Sequence, residues 1–125
     1  MSVMYKMEDL FPEATKADIE RAKRYLGHYK EKKSRLEFLE RNPPQTEELR
    51  NVKANLIKFT SLLERAVAQI LEEDVRKVIE YRFLRGNSRA ATILRFEQWE
   101  CCDKTIDRKI IDGIESVANT LLYLE

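Results

Sequence analysis

Two consecutive prolines, Pro43 and Pro44, stand between two long stretches in which apolar residues recur at helical spacing. A proline pushes the residue before it out of the helical region, so a helix that reaches Asn42 must end there. The chain of 125 residues contains only three Gly and three Pro, and 36% of its residues are charged. This composition favours helices with solvated faces over a β-sandwich or a disordered tail. The sequence therefore predicts long helices on both sides of one proline-containing loop.

The stretch before the prolines predicts a helix from about residue 16 to residue 41. Thr15 and Asp18 have the spacing of a capping box, with Asp in place of the usual Glu or Gln. At about 1.5 Å per residue, the helix would be roughly 39 Å long. Its apolar stripe consists of Ile19, Ala22, Tyr25, Leu26, Tyr29, Leu36 and Leu39.

The stretch after the prolines predicts a second helix, which Thr46 caps and which carries Glu47 and Glu48 in its first turn. Its apolar stripe consists of Leu49, Val52, Leu56, Phe59, Leu63, Ala66, Val67 and Ile70. Two amphipathic helices joined by a short loop favour an antiparallel hairpin. We therefore expect residues 1–71 to form a loosely ordered arm followed by this hairpin.

Residues 72–125 predict three shorter helical segments, over 72–85, 88–97 and 103–122. Gly86 is expected to end the first segment, and Asn87 or Ser88 to cap the second. A short strand over 92–96 is the alternative, since that stretch is rich in strand-forming residues. The expected fold class is all-α: a long N-terminal antiparallel helical hairpin followed by a three-helix helix-turn-helix unit, with 1–71 and 72–125 forming one continuous compact body.

Few residues could carry catalysis or bind a metal ion. Cys101 and Cys102 are adjacent, whereas structural zinc sites need about four ligands with spaced cysteines, and redox motifs place two residues between the cysteines. We expect one cysteine to pack in the core and the other to cap a helix or face solvent. The single histidine, His28, has no candidate catalytic partner nearby, and the chain has no Gly-rich phosphate loop or nucleophile elbow. We therefore expect no catalytic residues, no metal and no cofactor, and hence not an enzyme.

Charge and hydropathy set two further expectations. The formal net charge of +1 gives no overall preference for nucleic acid, so a basic surface would have to come from local clustering. No apolar run reaches the length of a membrane span. Residues 1–11 contain Lys6, Glu8 and Asp9 and lack the apolar core of a signal peptide. We expect a cytoplasmic protein without a membrane partner.

The segment from 103 to 122 has the pattern that a DNA-recognition helix requires. Such a helix buries one apolar face and presents polar side chains from its first turns to the major groove. One face here carries Ile106, Ile110, Gly113, Ile114 and Val117, and the beginning carries Lys104, Thr105, Asp107, Arg108 and Lys109. Between Arg82 and Asp112, seven Lys and Arg residues stand against five Asp and Glu residues. The same spacing would suit an ordinary bundle helix, so the residues leave both alternatives open.

Two stretches, 62–88 (LLERAVAQILEEDVRKVIEYRFLRGNS) and 101–122 (CCDKTIDRKIIDGIESVANTLL), include a Tyr-aromatic pair at Tyr81 and Phe83 and an Arg-Lys-Ile-Ile run at 108–111. In these features the C-terminal half resembles the late-gene transcriptional activators of Gram-positive phages and prophages, of the RinA and ArpU type. Those proteins are similar in turn to the helix-turn-helix of sigma factor region four. The chain departs from the family pattern in the longer connector before the last helix and in Cys102, which replaces a capping Ser and leaves Asp103 as the alternative cap.

The resemblance implies a sequence-specific DNA-binding regulator that has double-stranded DNA as its partner and no cofactor. By position, it assigns base or phosphate contacts to Lys104, Thr105, Arg108 and Lys109. It assigns backbone contacts near the second helix of the motif to Arg85, Asn87, Ser88 and Arg89. The hairpin would then mediate homo-oligomerisation, contact RNA polymerase or another protein, or pack back on the same chain.

Two other functions are compatible with the sequence. A small helical protein-binding adaptor, of anti-repressor or anti-sigma-like type, is favoured by the near-neutral net charge. A small phage packaging subunit would also join a helix-turn-helix to a helical oligomerisation segment. The first would bind a protein rather than DNA, and the second would form a ring.

Overall fold

A computed structural model describes residues 13–97 and 103–125 of the chain, and these residues form five α-helices. The helices are α1 (Lys16–Arg41), α2 (Glu47–Ala68), α3 (Glu73–Ile79), α4 (Arg89–Phe96) and α5 (Asp103–Leu124). A π-helical segment, Glu80–Leu84, continues α3. The described residues contain no strand, so the all-α expectation is confirmed for them, and the strand alternative for residues 92–96 is wrong because they lie in α4.

Side-chain caps begin α1 and α2 at the predicted residues. The Thr15 hydroxyl accepts a hydrogen bond from the Asp18 N–H at 3.2 Å, and the Asp18 carboxylate accepts one from the Thr15 N–H at 2.8 Å. This reciprocal pair is the predicted capping box. The Thr46 hydroxyl accepts from the Leu49 N–H at 3.1 Å. Both caps satisfy backbone donors that would otherwise lack partners.

One apolar core connects the first two helices to the last three segments. Helix α5 packs against α1, α2 and α3, and α1 also packs along α2. The buried members of this core are Ala22, Leu26, Tyr29, Leu63, Ala66, Val67, Ile70, Val75, Ile79, Phe83, Ile114, Val117, Ala118 and Leu121. Residues on both sides of position 71 contribute to it. The core therefore fixes α5 against the α1–α2 pair.

Helix α5 approaches α3 most closely at Gly113. A Cβ atom at this position would lie 2.2 Å from Ile79 Cγ1 and 3.2 Å from Val75 Cγ1. Carbon atoms in contact normally lie about 3.5–4.0 Å apart, so a larger residue would overlap α3. The expectation that this glycine allows close packing is confirmed.

The part of the α1–α2 pair next to the proline loop has only a small core of its own, which consists of Leu36, Leu39 and Leu56. Two members of the predicted α2 stripe, Leu49 and Val52, remain 45% and 47% exposed. The stripe has the predicted helical spacing, but its first two turns are not covered by any residue that the structure describes.

Candidate nucleic-acid interface

The turn that leads into α4 is built by Gly86 and its neighbours. The π-helical segment ends with the Arg85 N–H donating to the Glu80 carbonyl at 2.9 Å. Gly86 then has a φ angle of +75°, in the left-handed region that favours glycine, so the predicted stop is confirmed. The Ser88 hydroxyl accepts from the Ala91 N–H at 3.1 Å and caps α4. These contacts fix where α4 begins and in which direction it runs.

Asn87 holds this turn against the end of α3. Its side-chain amide donates to the Tyr81 carbonyl at 2.8 Å, and its own carbonyl accepts from the Arg82 guanidinium at 2.8 Å. Asn87 and Ser88, two residues predicted to contact the DNA backbone, therefore both shape the turn. The guanidinium carbon of Arg85 lies over the Tyr81 ring, 5.6 Å from its centroid.

A second, smaller core holds α3, α4 and α5 together. Its buried members are Val78, Phe96 and Ile106, one from each helix. The Tyr81 ring packs edge-on against the Phe96 ring with centroids 5.6 Å apart. Because Ile106 is buried in the first turn of α5, the opposite side of that turn must face outwards.

Arg89 joins the start of α4 to the start of α5. Its Nε donates to Asp107 Oδ1 at 2.7 Å, and its Nη2 donates to Asp107 Oδ2 at 2.6 Å. These parallel bonds have the two-pronged geometry that makes arginine–carboxylate pairs specific. The Arg89 hydrogen bonds hold the pKa of the Asp107 carboxyl below its usual value. Arg89 is therefore engaged within the protein, and Asp107 is ionised and paired.

Lys109 makes a similar connection on the other side of α5. Its ammonium donates to Asp74 Oδ2 at 2.5 Å, and the Lys109 side chain is only 16% exposed. The hydrogen bond from Lys109 lowers the pKa of the Asp74 carboxyl. The structure therefore directs Lys109 towards the beginning of α3.

The outward side of the first two turns of α5 carries Lys104 and Arg108. Both are exposed, and neither forms an ion pair with any described residue. At 3.6 residues per turn they lie about 40° apart around the helix and about 160° from Ile106. Thr105 lies beside them and is half-buried. The cationic surface is confined to these two turns, because the exposed residues that follow are Ile111, Asp112 and Glu115.

The structure thus separates the eight predicted contact residues into two groups. Lys104, Thr105 and Arg108 share the accessible start of α5. The remaining five take part in contacts within the protein: Arg85, Asn87, Ser88, Arg89 and Lys109. Sequence reasoning did not identify the pairings of Arg89 and Lys109, because their partners lie 18 and 35 positions away and no local periodicity relates them.

Other predicted features concern metals, membranes and the cysteines. Within residues 13–97 and 103–125, no three His, Cys, Asp or Glu side chains come together in a way that could hold a metal ion. None of the described helices combines the length and apolarity needed to cross a membrane. Cys101 and Cys102 lie outside the described residues, so their packing and the predicted cap at Cys102 stay predictions.

No family model, curated protein or solved structure that we compared with the chain matches it. The resemblance that rests on 62–88 and 101–122 therefore stays a prediction.

Proposed function

We propose that the chain is a sequence-specific DNA-binding regulator of transcription, of the phage or prophage type. In this proposal α3, α4 and α5 form a helix-turn-helix unit, the α1–α2 pair is its helical hairpin, and α5 is the recognition helix. One observation carries the proposal: Lys104 and Arg108 lie exposed, one turn apart, on the side of α5 opposite the buried Ile106. Recognition helices place base-contacting side chains on their N-terminal turns in this way.

The contacts around α5 support the proposal because they hold the helix rigidly at both flanks. Arg89 fastens Asp107 to α4, and Lys109 fastens α5 to Asp74. A recognition helix needs such support, since base contacts require accurate placement of the backbone. Arg89 also neutralises Asp107, whose carboxylate would otherwise repel phosphates beside Arg108. Arg89 and Lys109 therefore act here as positioning residues rather than as base-contacting ones.

The roles of the remaining residues follow from their contacts. Lys104 and Arg108 would contact base edges or phosphates, with Thr105 beside them at the groove edge. Ser88 and Asn87 set the angle at which α4 meets α5, and Arg85 lies near the turn where it can reach a phosphate. Phosphate contacts supply most of the affinity and base contacts supply the sequence preference.

Selection of duplexes from a random library by the purified full-length chain tests this proposal. The selected duplex should bind the native chain, and a Lys104→Ala/Arg108→Ala variant should bind it at least tenfold more weakly. A matched control, Arg50→Ala/Lys58→Ala, removes the same two types of charge from exposed positions on α2 and should bind as the native chain does. Equal weakening in both variants would reveal a non-specific charge effect and reject the role given to α5.

An adaptor that binds another protein is the second candidate, and one specific observation favours it. Four large apolar side chains are exposed on α1 and α2, at Phe38, Leu49, Val52 and Ile57. Apolar side chains exposed together are typical of protein-interaction surfaces. The adaptor function predicts that no duplex is enriched in the selection and that DNA binding does not depend on Lys104 or Arg108.

A further inference from the structure

A concave surface between α3 and α4 is not part of the proposed DNA-binding face. This cleft has a volume of about 340 Å³ and is lined by Lys77, Glu80, Tyr81, Arg85, Arg95 and Phe96. On α4, Arg89 faces α5, whereas Arg95 faces α3, because six residues place them about 120° apart around the helix. The cleft therefore opens on the flank of α4 that faces away from α5.

Two arginines in the cleft are held against aromatic rings. The guanidinium carbon of Arg85 lies 5.6 Å from the Tyr81 centroid, and that of Arg95 lies 5.6 Å from the Phe96 centroid. The two rings pack edge-on against each other, so the arginines stand on either side of an aromatic pair. Stacking on a ring reduces the freedom of a guanidinium and leaves its N–H groups directed outwards.

The charges in the cleft are not balanced by the protein. Arg85 and Arg95 pair with no carboxylate among the described residues, whereas Lys77 pairs with Glu73 at 3.2 Å. The lining contains three cations and one carboxylate, Glu80. The two arginines therefore provide an excess of positive charge that is already oriented for an anionic ligand.

We propose that this cleft binds an acidic peptide segment of a partner protein. A segment in which two carboxylates flank an apolar side chain matches two arginines that flank a pair of aromatic rings. Each carboxylate would accept two N–H bonds from one guanidinium, and the apolar side chain would cover the Tyr81 and Phe96 rings. The partner is thereby identified by its chemistry, as a protein that exposes an acidic-apolar segment.

The shape of the cleft favours a peptide over duplex DNA. A duplex presents a broad convex surface, whereas a cleft between two helices admits a narrow, flexible chain. Its volume falls within the range of about 300–1,000 Å³ that is usual for ligand pockets. A free phosphate ion would use the arginines but would leave the aromatic pair uncovered. The Glu80 carboxylate, next to Lys77 and Tyr81 in the lining, also disfavours a continuous row of phosphates.

A peptide titration of the full chain tests the proposal. A labelled peptide of alternating Glu and Leu is compared with its Gln-and-Leu counterpart, by anisotropy and by the shifts of the arginine Nε–H signals in NMR. We expect the acidic peptide alone to bind and to shift the signals of Arg85 and Arg95. Arg95→Gln should weaken this binding about tenfold, Arg95→Lys should weaken it less, and the control Arg50→Gln should leave it unchanged.

Three results would overturn the proposal. The first is the absence of any shift at millimolar peptide, the second is equal binding of the Gln-containing peptide, and the third is unchanged binding by Arg95→Gln. Displacement of the peptide by inorganic phosphate, but not by chloride of equal ionic strength, would assign the cleft to free phosphate instead. A loss of duplex binding by Arg95→Gln without a loss of peptide binding would assign it to DNA.

The peptide test does not depend on DNA binding. If Arg95→Gln loses the acidic peptide while no duplex is ever bound, the proposed regulator function fails and the peptide site stands. If the selected duplex is bound with native affinity by Arg95→Gln and no acidic peptide binds, the reverse holds.

Discussion

Replacement of Gly113 by Ala gives the sharpest test of how α5 is held against α3. An added Cβ would lie 2.2 Å from Ile79 Cγ1 and 2.5 Å from Ile79 Cδ1. Ile79 is fully buried, so its side chain has no open space into which it could move. Overpacking of this kind costs about 1–3 kcal/mol, and contacts this short belong at the upper end of that range.

The gain in helix propensity opposes this cost. Ala is more favourable than Gly inside a helix by about 1 kcal/mol. We therefore expect Gly113→Ala to lower the free energy of unfolding by about 2 kcal/mol. At roughly 4 °C per kcal/mol for a chain of this size, the Tm should fall by about 8 °C.

The chain contains its own control for this substitution. Gly27 lies in the middle of α1, and a Cβ there would meet nothing within 4 Å. Gly27→Ala should therefore keep only the propensity gain and stabilise the protein by about 1 kcal/mol. The same chemical change is thus expected to have opposite signs at the two positions.

Urea unfolding followed by the helical circular dichroism signal measures both variants. The double variant Gly113→Ala/Ile79→Ala should be less destabilised than the sum of its single changes, because the new methyl group occupies part of the space left by Ile79. A Gly113→Ala protein that is as stable as the native chain, or more so, would refute the close packing of α5 on α3.

Three other predictions follow from single contacts. Thr15→Ala removes the capping hydroxyl of α1 and should lower the free energy of unfolding by about 1 kcal/mol, measured by urea unfolding with Gly27→Ala as the reference for a change elsewhere in α1. Burial and the hydrogen bond to Glu64 raise the pKa of Tyr29 above its ordinary value of 10.0, so the native chain should lose stability above pH 10, and Tyr29→Phe should show a smaller loss in the same range; parallel pH curves would contradict this. Arg89→Ala frees the Asp107 carboxylate and should both weaken binding of the selected duplex and weaken it less when Asp107→Asn is added; additive effects would contradict the pairing.

Local signals were sufficient to predict most of the helices. Thr15 and Thr46 act through backbone groups three residues away, and Gly86 acts through its own φ angle, so their effects can be read from short segments. The start of α5 at Asp103 also agrees with the prediction, although the helix runs to Leu124 instead of ending at residue 122. Periodicity likewise predicted that Ile106 and Gly113 would face the core.

Features that depend on distant partners were not predictable in the same way. The residues of α5 that carry charge look alike in the sequence, yet Lys109 binds Asp74 while Lys104 and Arg108 stay exposed. The difference arises from the position of α3, which no local pattern reveals. The π-helical segment was also missed, because the spacing of apolar residues across Glu80–Leu84 does not distinguish it from an α-helix. The exposure of Leu49 shows, in addition, that a stripe predicts a face and not what covers it.

The salt dependence of duplex binding tests the central claim most directly. Affinity for the selected duplex is measured over a range of salt concentrations for the native chain, for Lys104→Ala/Arg108→Ala and for the control Arg50→Ala/Lys58→Ala. The account predicts salt-sensitive binding by the native and control proteins, and a slope of log affinity against log salt that is shallower by about one for each phosphate contact that the α5 variant loses. Absence of salt-sensitive binding, or an α5 variant that binds as tightly as the control, would contradict the claim that the start of α5 recognises DNA.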